Sequence, residues 1–112
     1  MTIDIKEMAA AVDEGRQQWE EQRTTVRQVL RYLGASQSEI AEGLGLTRQS
    51  LNGRLMGRIQ FNPWELDAIA KGLGIPRKVL NGSPEDAIRW LLDHPEVAPE
   101  FRWSPLSPLR AA

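Results

Sequence analysis

Arg48, Gln49 and Asn52 fall within one five-residue span of the segment 36–57, SQSEIAEGLGLTRQSLNGRLMG. Each carries a planar polar group with a fixed hydrogen-bonding pattern. An arginine forks onto the two acceptors of a guanine edge, whereas glutamine and asparagine offer adenine one donor and one acceptor. A well-placed bidentate contact of this kind discriminates base pairs by roughly 1–3 kcal/mol. Taken singly, each is an ordinary surface residue. On the first turns of one short helix, the three together suit the major groove of double-stranded DNA.

Presenting them requires a helix with its opposite side buried. Leu51 and Leu55, four residues apart, supply that side, and Thr47 can cap the helix by accepting an orphan amide. With the leucines inward, Arg48, Gln49 and Asn52 turn outward, with Gly53 and Met56 beside them. Gly53 costs about 1 kcal/mol relative to alanine inside a helix. Close approach of a backbone or phosphate would explain it, so the candidate base-contact set is Arg48, Gln49, Asn52 and Gly53. The preceding helix is expected from Gln37 to about Gly43, with Ser36 as cap and Glu39 placed as in a capping box. Ile40 and Leu44 face the core, and small Ala41 lies where the next helix must approach. Gly45 suits a sharp left-handed turn, with Leu46 anchoring it.

Charge is distributed in keeping with this reading. The 112 residues carry a net charge of −1, but residues 1–23 hold three basic against six acidic groups, and residues 24–62 hold five arginines against two glutamates. The remaining residues, 63–112, have a net charge of −1. Every cation in the basic stretch is an arginine, able to fork onto phosphate where lysine acts as a point charge.

The other elements follow from periodicity and caps. Ile3, Ile5, Met8, Val12 and Trp19 share one side of an amphipathic helix expected over about residues 4–22. Thr24 or Thr25 is expected to cap a second helix to Leu33, with Val26, Val29, Leu30 and Leu33 inward and Gly34 ending it. Asn62, Pro63 and Glu65 form a strong start signal for a helix to about Lys71. There Trp64 or Leu66 would pack inward with Ile69, Ala70 and Leu73. Arg58, Gln60 and Asn62 occupy the connecting loop as candidate phosphate contacts, which fix register without reading sequence. A short helical segment from Ile75-Pro76 to about Leu80 precedes the Asn81-Gly82 turn. A last helix, capped at Ser83, runs to about Asp93, with Ile88, Leu91 and Leu92 as its apolar side. Pro95, Pro99, Pro105 and Pro108 then favour an extended tail, in which Phe101 and Trp103 are candidate docking residues for the domain or for a protein partner.

Residues 25–80 resemble the Cro/phage-repressor (Xre-type) helix-turn-helix family. The resemblance rests on Gln37 and Ala41 in QSEIA, the turn Leu44-Gly45-Leu46, the TRQSL start of the second helix and the later LDAIAKGLGI. It implies an all-α, lambda-repressor-like helix-turn-helix bundle. This chain would add an N-terminal amphipathic helix (1–23) to the DNA-binding domain (24–80), with a C-terminal helix (81–93) and a Pro-rich tail (94–112). It further implies a phosphate and base role for Gln37, base contacts from Arg48, Gln49 and Asn52, and a homodimer on a two-fold operator. The candidate phosphate contacts then comprise Gln37, Thr47, Arg54, Arg58, Gln60 and Asn62. Many members place an apolar residue where this chain has Arg54, and neighbouring Leu55 is expected to take its packing role.

Other chemistry has no motif to carry it. The chain contains no cysteine and one histidine, His94, so thiolate sites and thiol nucleophiles are excluded. No GxSxG, Walker, HExxH or DxDxDG pattern occurs, and neither catalysis nor a cofactor is expected. No apolar run approaches membrane-span length, so a cytoplasmic location in a bacterium or phage-infected host is expected. The expected function is a transcriptional repressor of phage or prophage type acting by promoter occlusion. Its rivals are an antitoxin that represses its own operon and a protein-interaction module on the same fold.

Overall fold

The computed structural model describes residues 2–97. Regular structure among them is entirely α-helical: α1 (Ile5–Leu33), α2 (Gln37–Leu44), α3 (Arg48–Leu55), α4 (Pro63–Leu73), α5 (Arg77–Asn81) and α6 (Pro84–Leu92). No helix among the described residues is long and apolar enough to cross a membrane.

The first helix corrects an expectation. Residues 4–22 and 25–33 were expected as two helices, but α1 runs unbroken for 29 residues, about 43 Å at 1.5 Å per residue. Asp4 caps its start, accepting from the Glu7 amide at 3.0 Å. Thr24 and Thr25 cap nothing. The Thr24 hydroxyl donates back to the Glu20 carbonyl at 2.9 Å, and that of Thr25 lies 2.9 Å from the Glu21 carbonyl and 2.7 Å from that of Gly82. Threonine inside a helix can bond the preceding turn, and the choice between that and capping is made by what packs nearby. Here Thr25 is fully buried, and its one proton is shared between its own helix and Gly82, the residue that ends α5. Gly34 ends the helix as expected, with φ 69° and its amide directed to Arg31, while the Ala35 amide donates to Leu30.

Only the second half of α1 belongs to the core. Val26, Val29 and Leu33 are fully buried, whereas residues 2–18 are exposed. The buried stretch packs on α3, α5 and α6, α2 rests on α3 and α4, and α4 meets α5. Leu51, Leu55, Phe61, Leu66, Ile69, Leu73, Leu80 and Leu91 complete the interior. Each such side chain contributes about 1.5–3 kcal/mol by leaving water.

One open inward assignment is resolved and another is corrected. On α4 it is Leu66 that enters the core, and Trp64 points outward, 68% exposed. On α6, Ala87 and Leu91 are buried while Leu92 is exposed. Ser83 caps α6 as expected, accepting from the Asp86 amide at 3.1 Å. His94 lies 2.7 Å through Nδ1 from the Trp90 carbonyl, its ring stacked on the indole at 3.7 Å. The docking roles expected of Phe101 and Trp103 lie outside the described residues.

Candidate nucleic-acid interface

Local rules set the turn between α2 and α3. Gly45 adopts φ 72°, a left-handed conformation that costs glycine little, and its amide bonds Glu42 at 3.1 Å. The Leu46 amide reaches the Ala41 carbonyl at 2.8 Å. Ala41 is buried, as close approach of the two helices requires. Ser36 accepts from the Glu39 amide at 3.3 Å and Thr47 from the Ser50 amide at 3.0 Å, so both helices start where their caps stand.

The roll of α3 about its own axis decides what it presents. Leu51 and Leu55 are buried, and so is Gly53. A Cβ at Gly53 would meet Cδ1 of Ile59 at 3.4 Å, so the side chains of the loop that follows lie over this position. Gly53 therefore leaves the candidate base-contact set.

Arg54 leaves the phosphate set for a different reason. Its Nε donates to Oε1 of Glu65 at 2.9 Å, and Nη1 donates to the Ser50 carbonyl at 3.2 Å. The two charged side chains are only 12% and 7% exposed. The same Glu65 oxygen accepts the Asn62 backbone amide at 2.9 Å. Burial alone would push the Glu65 carboxyl up, but the hydrogen bonds from Arg54 and Asn62 and the charge of Arg54 outweigh it and hold it below the ordinary 4.5. The pair ties the end of α3 to the start of α4. An arginine can thus stand beside the packing side of α3 because its charge is neutralised there, while Leu55 does the packing.

With that roll fixed, Arg48 and Gln49 are fully on the outside, Asn52 is half-exposed beside them, and Met56 is 52% exposed. Thr47, Gln37, Arg58 and Gln60 are exposed as well. Asn62 is half-buried, and its backbone is committed to the start of α4.

Two further residues join this surface. Arg27 and Arg31, one turn apart on α1, line a groove of about 390 Å³ together with Gln37, Asn52 and Met56. The groove runs from α1 past the first residue of α2 to α3. Both arginines belong to the basic stretch, but no motif in the sequence marks them as a site. Their four-residue spacing, off the Val26–Val29–Leu30–Leu33 stripe, was the available signal. Arg27, Arg31, Arg48 and Arg58 have no carboxylate partner among the described residues, whereas Arg16, Arg77 and Arg89, outside the basic stretch, each pair with an aspartate. Four of the five arginines of the basic stretch are therefore without an ion pair: Arg27 and Arg31 in this groove, Arg48 on the first turn of α3 and Arg58 in the loop after it.

This arrangement can hold a polyanion. Uncommitted guanidinium groups and the positive end of α2 favour phosphate, while Arg48 and Gln49 project as hydrogen-bonding forks. Among the described residues no group of three or more His, Cys, Asp or Glu side chains is placed to hold a metal ion. Comparison with protein-family models, with curated proteins and with solved structures finds no match to the chain.

Proposed function

We propose that the protein is a sequence-specific, double-stranded-DNA-binding transcriptional regulator built on a lambda-repressor-like helix-turn-helix, with α2 and α3 as the two helices of that motif. The observation that carries the reading is the exposed, unpartnered pair Arg48 and Gln49 on the first turn of α3, with Asn52 one turn on. In this reading α3 enters the major groove. Arg48, Gln49 and Asn52 meet base edges, and Arg27, Arg31, Gln37, Thr47, Arg58 and Gln60 meet the flanking phosphates. Occupying an operator that overlaps a promoter excludes RNA polymerase, so repression needs no catalytic group.

Selection of bound sequences from random duplexes tests the proposal. Enrichment of one motif is expected, with affinity falling steeply as salt rises because displaced phosphate counterions are released. Absence of any enriched sequence, together with salt-insensitive or no binding, overturns it and leaves the fold as a protein-interaction module.

A further inference from the structure

The face of α1 that closes the core continues beyond the core. Val26, Val29 and Leu33 fall at alternating three- and four-residue steps. The same steps run back through Gln22, Trp19, Gly15, Val12 and Met8 to Ile5. This is the a/d rhythm of a helix that packs lengthwise on another helix. From Val26 onward the other helices are the chain's own. Around Gly15 and Trp19, Gln60 and Asn81 border the strip. Towards the start of α1 it is bare: Ile5 is 75% exposed, Met8 59% and Val12 56%, with Ile3 just before the helix 70% exposed.

We infer that this strip is the contact with a second copy of the chain. The two α1 arms lie antiparallel, with Met8 against Val12 of the second copy and Ile5 against its Gly15. Four observations select that occupant. First, the positions flanking the bare strip are Ala9 and Ala11, small and uncharged, so a second backbone can come close. Second, Glu7, Asp13 and Glu14 sit on the outer positions of the heptad, where two like-charged arms keep their acids in water. Third, an antiparallel crossing sets the open space at Gly15, where a Cβ would meet nothing within 4 Å, opposite a large Ile5. A parallel pairing would set glycine against glycine and leave a void. Fourth, the four bare side chains expose on the order of 450 Å² per copy, the size of the largest apolar patch on a typical monomer, which is often a contact surface. Reciprocal pairing covers at most about 900 Å², below the roughly 1,200 Å² of stable specific interfaces and in the range of weak, transient ones, so the dimer exchanges.

A lipid surface fits poorly. Helices that lie on membranes carry lysine and arginine on the polar side, whereas this one carries chiefly acids.

The test is sedimentation equilibrium of the full chain without DNA, so its result is independent of the DNA-binding proposal. The wild-type mass is expected to rise from 12.6 kDa towards twice that value as concentration approaches about 100 µM, in the range of weak interfaces. Met8→Glu with Val12→Glu is expected to stay monomeric with unchanged thermal unfolding, since neither residue touches the core. Because the chain has no cysteine, M8C/V12C is expected to oxidise to a cross-linked dimer while V12C alone does not. A wild type that stays monomeric throughout, a glutamate variant that still dimerises, or V12C cross-linking as well as the double variant overturns the inference.

Discussion

The ion pair between Arg54 and Glu65 gives the sharpest test of how α3 is held. Glu65→Gln keeps the shape and one acceptor but removes the charge that neutralises a guanidinium only 12% exposed. Breaking a buried pair from one side costs roughly 3–5 kcal/mol, because the remaining charge is stranded. The pair lies at the joint between α3 and the start of α4, where a small movement readmits water. The expected loss is therefore at the lower end, about 3 kcal/mol. For a domain of this size that lowers Tm by about 12–20 °C. The pH dependence supplies a second signature. The folded pKa of Glu65 is depressed, so its stabilisation is complete above the ordinary value of 4.5 and is lost as pH falls through the lower folded value. The gap between wild type and Glu65→Gln should be full at neutral pH and close in acid, where wild-type Glu65 is itself neutral. Thermal and urea unfolding across pH reads both effects. A Glu65→Gln variant within about 0.5 kcal/mol of wild type at neutral pH, or a gap that does not shrink in acid, would refute the assignment.

Arg48→Ala and Asn52→Ala should each weaken binding to a selected operator by about 1–3 kcal/mol; competition binding against single-base variants should show relaxed discrimination at one position each, with thermal stability unchanged. Arg27→Ala and Arg31→Ala should weaken binding evenly across sequences and reduce the salt slope by about one apiece, as measured by fluorescence anisotropy over a salt series. Gly57→Ala should destabilise the fold by about 1 kcal/mol in urea unfolding. Its φ of +89° disfavours a side chain, and a Cβ there would stand 3.0 Å from the Arg23 guanidinium carbon.

Much of this architecture was legible residue by residue because helix ends are local events. Ser36, Thr47 and Ser83 cap by reaching an amide three residues on, and Gly34, Gly45 and Gly74 end helices through their own backbone angles. Leu51 and Leu55 likewise fixed most of the outward face of α3, because four-residue spacing places them on one side whatever lies opposite. Other features depended on partners distant along the chain. Thr25 became a buried link in one long helix because the Gly82 carbonyl arrives from 57 residues away. Arg54 turned from a candidate phosphate contact into a structural tie because Glu65 sits on the next helix. Trp64 and Leu92 differ little from their buried neighbours in hydrophobicity; packing alone put Leu66 and Leu91 inside. Arg27 and Arg31 joined the candidate interface only once folding set α1 beside Gln37 and Asn52. Sequence therefore determined where the helices begin and end, apart from the break expected near Thr24, and which side chains α3 could offer. Tertiary structure decided which charges are neutralised internally and which remain available to a ligand, because a charge's availability depends on what the fold brings within a few ångströms of it.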